Sequence, residues 1–137
     1  MSLSKELQIG KAGEHLVCCD LILQGYNAFL ADQGLPYDVL VDNGEKIYRL
    51  QVKTTTKKST YGKSKDVYRF SLRSAKGSNR AIKASKIDCI AFVFTDKRTV
   101  EYMGTHLLTA KTGYLKQCID FKEGGKTKYV IGKFSKF

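Results

Sequence analysis

Three side chains carry the most suggestive chemistry in this sequence: Asp38, Gln51 and Lys53. A carboxylate, a carboxamide and an amine do little when apart. Gathered in one place they suit a hard divalent cation, which takes oxygen ligands and keeps several of its waters. Asp38 offers a carboxylate oxygen, Gln51 a side-chain carbonyl, and the backbone of Val52 a third oxygen. The expected ion is Mg²⁺, with Mn²⁺ as the alternative. Lys53 would then position or deprotonate a water on that ion for attack on a phosphodiester, while the ion offsets charge developing on the phosphate oxygens.

Whether these groups meet depends on the elements that carry them. Residues 37–41 and 47–55 read as strands around Asp42-Asn43-Gly44-Glu45, and Asn-Gly between alternating apolar runs is the strongest short hairpin signal. A turn centred on Asn43-Gly44 pairs residue 38 with 49, and one centred on Gly44-Glu45 pairs 38 with 51. Either register puts Asp38, Gln51 and Lys53 on one face, because side chains alternate with period two. Val39, Val41, Tyr48, Leu50 and Val52 then form an apolar reverse face that belongs to the core. Singly, each polar residue reads as an ordinary solvated strand position. It is the hairpin, the parity and the apolar reverse face together that argue for a site.

Around this hairpin the pattern predicts a helix from Ser4, as N-cap, to about Gly25. Its apolar stripe is Ile9, Ala12, Leu16, Cys19 and Leu23, with Val17 and Leu21 widening it toward burial on more than one side. A short strand follows at 26–30. Further strands are expected at 67–72, at 89–95 as a continuous apolar run covered on both faces, and at 99–103. A short helix is expected within 107–118 and a last strand at 129–134. This order gives an α/β or α+β domain with a mixed central sheet flanked by helices, and 137 residues suit one domain spanning 1–137.

Charge narrows the partners. Lys and Arg number 24 against 13 Asp and Glu, a net of +11. Within residues 53–86 eleven Lys or Arg face one acid, Asp66, so almost the whole net charge sits there. Nearly single-signed charge over a quarter of the chain repels itself unless a polyanion is near. The window begins at Lys53 and fits a DNA-backbone channel in which Lys57, Lys58, Lys63, Arg69, Arg73, Arg80 and Lys83 contact phosphates. Tyr61 and Tyr68 read as core tyrosines before stacking platforms. No run of 18 apolar residues and no signal peptide is evident, so a membrane partner is not expected and the cytosol is the default compartment. Cys18, Cys19, Cys89 and Cys118 form no Cys-x-x-Cys pair, and His15 and His106 are the two histidines. A zinc site and a histidine-based nuclease centre are therefore poorly supported, and the thiols read as reduced and mostly buried.

Asp38 followed thirteen residues later by Gln51-Val52-Lys53 resembles the motif of the PD-(D/E)XK nuclease superfamily, in which an acid precedes a (D/E)-x-K on the next strand of a hairpin. The sequence looks like the subgroup that uses Gln-x-Lys, which includes bacterial intron-encoded homing endonucleases, with Holliday-junction resolvases as more distant relatives. Ile87-Asp88-Cys89-Ile90-Ala91-Phe92-Val93-Phe94 looks like that subgroup's core strand. The resemblance covers residues 5–103. It implies a restriction-endonuclease-like core, a bacterial or phage-encoded cytoplasmic protein, and Mg²⁺-dependent endonuclease activity on DNA. In that superfamily a glutamate on the first helix often completes the metal site, and Gly10-Lys11-Ala12-Gly13-Glu14 supplies Glu14. Two positions depart from the pattern. The acid is preceded by Pro36-Tyr37, and Gln51 is neutral where an acid is usual.

Three functions follow from this reading: a metal-dependent DNA endonuclease, a non-catalytic DNA- or junction-binding module on the same fold, and a basic RNA-associated protein. For the first, cutting both strands of a duplex takes two active sites, so a homodimer or homotetramer is expected.

Overall fold

The computed structural model describes residues 4–58, 67–73, 82–124, 129–130 and 132–137. One α-helix, α1 (Lys5–Leu23), is followed by β1 (Asn27–Leu30), β2 (Val39–Asp42), β3 (Ile47–Thr55), β4 (Tyr68–Ser71), β5 (Cys89–Phe94), β6 (Thr99–Gly104) and β7 (Cys118–Phe121). Five strands form a sheet in the order β1-β2-β3-β5-β6. Only β3 and β5 run parallel; the other neighbours are antiparallel, so the sheet is mixed as the sequence predicts. β4 leaves this sheet and pairs antiparallel with β7.

The chain makes these elements for local reasons. The Ser4 hydroxyl accepts a bond from the Leu7 amide at 3.3 Å, satisfying one of the free N–H groups that open α1. Gly25 stops the helix with φ +102°, a left-handed conformation that side chains avoid. In the hairpin, Asp42 accepts from the Gly44 amide and Asn43 from the amides of Glu45 and Lys46. That loop fixes the register: Val39 faces Leu50 and Asp42 faces Ile47. By the same count Asp38 faces Gln51, the second of the two predicted alternatives.

β5 is buried along its whole length and separates two cores. Its odd-numbered residues Cys89, Ala91 and Val93 join Val17 and Leu21 of α1 with Val39, Val41 and Leu50 of the hairpin. Its even-numbered residues Ile90, Phe92 and Phe94 join Phe70, Phe121, Leu108 and Leu115 on the opposite face. Phe70 meets Phe92 and Phe94 edge-on, with ring centroids 4.9 and 5.3 Å apart. The sheet is thus covered by a helix on one face and by the β4–β7 pair on the other.

Several expectations give way. The buried face of α1 is Gly13, Val17 and Leu21, while Ala12 and Cys19 are exposed and Leu23 is 81% exposed. Apolar content misplaced the stripe because the helix docks through its smallest residue. A Cβ on Gly13 would lie 2.0 Å from Thr54 Oγ1, so α1 meets β3 where there is no side chain at all. Nor is α1 buried on several sides, since Leu7 and Ile22 are also exposed. In place of a helix within 107–118 there is a 3₁₀ turn at Thr105–Leu107 and a tight turn in which the Gly113 amide bonds the Ala110 carbonyl. Around 129–134 the described residues make an isolated bridge, Lys122 to Val130, and a turn. The thiols are all free, but only Cys89 is buried, its pKa pushed up to about 12 by that burial. Among the described residues no helix is long and apolar enough to cross a membrane.

Candidate functional site

The face of the hairpin away from α1 carries Asp38, Gln51 and Lys53, and the bonding along β3 explains how they converge. The carbonyls of Arg49 and Thr55 accept from the amides of Asp88 and Thr95, toward β5. The carbonyl of Leu50 accepts from the Asp38 amide at 2.8 Å, toward β2. Val52 shares the parity of Leu50, so its N–H and C=O also point toward the Asp38 side. Strand β2 begins only at Val39, so there is no ladder partner opposite Val52. Asp38 fills the gap: its Oδ2 accepts from the Val52 amide at 2.8 Å. The acid is thereby fixed against the Gln-x-Lys segment by a backbone bond.

Gln51 is held by a long bond from Nε2 to the Pro36 carbonyl at 3.4 Å, and its Oε1 is buried with no hydrogen-bond partner. Rotating the amide would turn its oxygen toward that carbonyl and leave the NH₂ buried instead, so the orientation follows from the contacts. A buried carbonyl oxygen without a donor costs about 1–3 kcal/mol unless something electropositive meets it.

Glu14 comes to this place from the opposite face of the sheet. Beside Gly13, where α1 makes its close approach to Thr54, it borders two adjoining cavities. One, of about 470 Å³, is closed by Asp38 and by residues 31–37; the other is closed by Val52, Lys53 and Thr54. Glu14 thus borders both the acid's cavity and that of Val52 and Lys53. Burial raises its pKa, the Asp38 charge raises it further, and Lys11 opposes both. Burial likewise raises the pKa of Asp38, against the lowering influence of the Val52 amide and Lys53. Lys53 shows the inverse: burial lowers its pKa while Asp38 pulls it up. Its Nζ donates to the backbone carbonyl of Arg73 at 3.0 Å, which ties the amine to the residue just beyond β4.

The donors here are two carboxylates, one carboxamide oxygen and one backbone carbonyl, all oxygen. They fit a hard divalent cation on two counts: an orphaned buried oxygen on Gln51, and two carboxylates whose pKa values burial raises, that of Glu14 further by the Asp38 charge. Among the described residues no three His, Cys, Asp or Glu gather in one metal-binding group, so the carboxamide is needed to reach three side-chain donors.

The expected DNA contacts divide. Lys57, Arg73 and Lys83 are exposed. Lys58 pairs with Glu123 at 3.1 Å, and Arg69 grips Asp120 through two bonds of 2.8 Å. Lys63, Arg80 and Tyr61 lie outside the described residues. Tyr68 is a core residue, its hydroxyl bonded to Asp96. The sequence reading gives no functional residue within 105–121. Yet Leu72, which precedes the acceptor for Lys53, is pinned by its amide to the Gln117 carbonyl at 2.9 Å. Lys116 near Gln117 was the available signal, outside the run of cations that drew attention.

Comparison with known proteins bears on the family and the fold. The sequence profile described as PD-(D/E)XK endonuclease matches residues 4–129. A search of curated proteins gives no match. Among solved structures, a bacterial homing endonuclease superposes with a TM-score of 0.65 at 16% identity, over 93% of this chain and 81% of that one. At that identity the likeness establishes a common fold.

Proposed function

We propose a function from one premise: this chain belongs to the PD-(D/E)XK endonuclease family. On that basis it is a metal-dependent endodeoxyribonuclease. Glu14, Asp38, Gln51 and the Val52 carbonyl hold the cation, Mg²⁺ or Mn²⁺, and Lys53 serves the attacking water. A divalent ion held there would supply Lewis-acid polarisation of the phosphate and a more acidic bound water. The remaining work falls to the chain itself. The Val52 amide fixes Asp38, Gly13 lets Glu14 approach, and the Arg73 carbonyl aims the Lys53 amine. A lowered pKa brings the neutral, proton-accepting form of Lys53 within easier reach.

The observation that carries this reading is the buried, partnerless Oε1 of Gln51 opposite Asp38, an acid whose pKa, like that of Glu14, is raised by burial. DNA is the substrate, approached over the exposed cations Lys57, Arg73 and Lys83, with Lys63 and Arg80 as further contacts. Lys58 and Arg69 would join by exchanging their present carboxylate partners for phosphates. Double-strand cleavage would use a homodimer or homotetramer. The test is cleavage of linear, supercoiled and four-way-junction DNA with and without Mg²⁺. Metal-dependent nicking is expected. Tight binding without cutting at any metal concentration would instead favour a DNA-binding module, and preference for structured RNA an RNA-associated protein.

A further inference from the structure

Beyond Arg73, whose carbonyl accepts from the Lys53 amine, lies a second kind of cavity. It has a volume of about 520 Å³ and is bounded by Arg73 and by residues of the 110–117 segment, among them Thr112, Tyr114, Leu115, Lys116 and Gln117. Among the described residues no carboxylate lines it. Arg73 belongs to both places, since its carbonyl holds Lys53 at 3.0 Å while the residue forms one wall of the cavity.

The opposite wall is built firmly. Leu108 and Leu115 are buried in the aromatic core, and the Lys116 amide bonds the Leu108 carbonyl at 2.9 Å. The Ala110 amide bonds the Tyr114 carbonyl at 2.8 Å, and Gly113 closes the turn with φ +85°. The same segment pins the chain on both sides of residues 74–81: the Leu72 amide bonds Gln117, and the Leu115 amide bonds Ile82. Lys83 forms a bridge with Tyr114 at the rim. Cations from three stretches of sequence, Arg73, Lys83 and Lys116, therefore stand around one rigid turn.

We propose that this cavity is a subsite for the DNA strand flanking the scissile phosphate, with Lys116 as a phosphate contact alongside Arg73. The inference rests on the nuclease reading and adds a binding residue to it. Charge complementarity commits the occupant: a wall with cations and, among the described residues, no acid, joined through Arg73 to the amine that serves the water, meets a polyanion. Leu115 and the flank of Tyr114 give an apolar floor suited to the deoxyribose. Thr112 and Gln117 add neutral hydrogen-bonding groups.

Lys116 is exposed, so its replacement leaves the fold intact. The experiment measures affinity for a duplex by fluorescence anisotropy in EDTA across a salt series, for wild type, Lys116→Ala and, as a control, Lys133→Ala, an exposed cation that lines none of these cavities. Losing one phosphate contact lowers the log–log salt slope by about 0.9. That drop is expected for Lys116→Ala and not for Lys133→Ala. With Mg²⁺ present, Lys116→Glu should raise KM more than it lowers kcat. A Lys116→Ala slope and affinity equal to the control would overturn the subsite while wild-type cleavage left the nuclease reading standing. Wild-type protein that neither binds nor cuts DNA would overturn both.

Discussion

The two sides of Lys53 are chemical opposites. On the helix side, a cavity gathers Glu6, Glu14, Asp32 and Asp38 with Lys11 as the one cation among the described residues. On the side of the β4–β7 pair, Arg73 and Lys116 line a cavity with no acid among the described residues. Burial raises the pKa of Glu14 and of Asp38, the Asp38 charge raises that of Glu14 further, and a bound cation would offset that cost. Cations held together call for an anion. A reaction between a metal-bound water and a phosphate needs both environments within reach of one amine, and β3 supplies the partition. The difference also has a sequence origin. Residues 6–38 build the acidic side, nearly contiguously, whereas the cationic side joins residue 73 to residues 110–117.

The largest effect is expected at the boundary itself. Lys53→Ala should lower single-turnover cleavage by about 10²–10⁴-fold, the usual contribution of a positioned acid or base. Duplex affinity should barely move, because one phosphate contact at most is lost. Cleavage at the wild-type rate would remove Lys53 from the chemistry and leave the two cavities without a common centre.

Next comes the acidic side. Gln51→Leu deletes the buried orphan oxygen and with it a proposed ligand, so cleavage should vanish at every Mg²⁺ concentration. Gln51→Glu keeps the reach and adds charge, which a hard cation prefers, so half-maximal rate should come at lower Mg²⁺. Its risk is a third carboxylate beside Glu14 and Asp38, which would hold one acid protonated when metal is scarce. Titration of Mg²⁺ against initial rate distinguishes these outcomes. Undiminished cutting by Gln51→Leu would mean that the oxygen ligands lie elsewhere.

The acidic side was largely legible before any coordinates. A Ser N-cap, a Gly stop, an Asn-Gly turn and the apolar–polar alternation over 48–53 are local signals, and each acts through backbone chemistry within a few residues. They place Asp38, Gln51 and Lys53 together and narrow the register to two choices, one of which is observed. The placement of Glu14 came from resemblance, and the face of α1 came out wrong. A glycine at a contact point leaves no hydrophobic mark. The cationic side was not legible. β7, the 110–113 turn and the bond from Leu72 to Gln117 join residues tens of positions apart, and their sequences lack clear periodicity. The cation run at 53–86 was visible, but not that Lys58 and Arg69 spend their charge on Glu123 and Asp120.

The helix contact gives an intermediate effect. Gly13→Ala sets a methyl 2.0 Å from Thr54 Oγ1 and 3.0 Å from two further Thr54 atoms. Overpacking of this kind costs about 1–3 kcal/mol. Alanine's better helix propensity returns less than that. A lower midpoint in thermal melts is expected, with a loss of cleavage larger than the fraction unfolded explains, because Glu14 is displaced along with Gly13. Thr54→Ala in the same chain should restore part of both. A Gly13→Ala protein with unchanged melting would show that α1 can ride outward freely and that the close approach is not needed to place Glu14.

The smallest effect concerns the acids' own cost. The pKa of Asp38 is raised on folding, chiefly by burial, so the folded chain holds this proton more tightly than the unfolded one. Below the ordinary carboxylate range the group is neutral in both states and its full stabilisation is present. As pH rises through the raised folded value, that stabilisation is lost. Asp38→Asn avoids the loss and still offers the Val52 amide a carbonyl oxygen. In EDTA at neutral pH the variant should melt no more than a few degrees above wild type, and the gap should close near pH 3. Mg²⁺ should reverse the order, because an ion that binds the folded wild type stabilises it by mass action and finds a weaker site in the variant. If wild type melts above Asp38→Asn in EDTA at neutral pH, the acid is already stabilised by its cationic neighbours. The division of charge across β3 would then be shallower than the lining residues suggest.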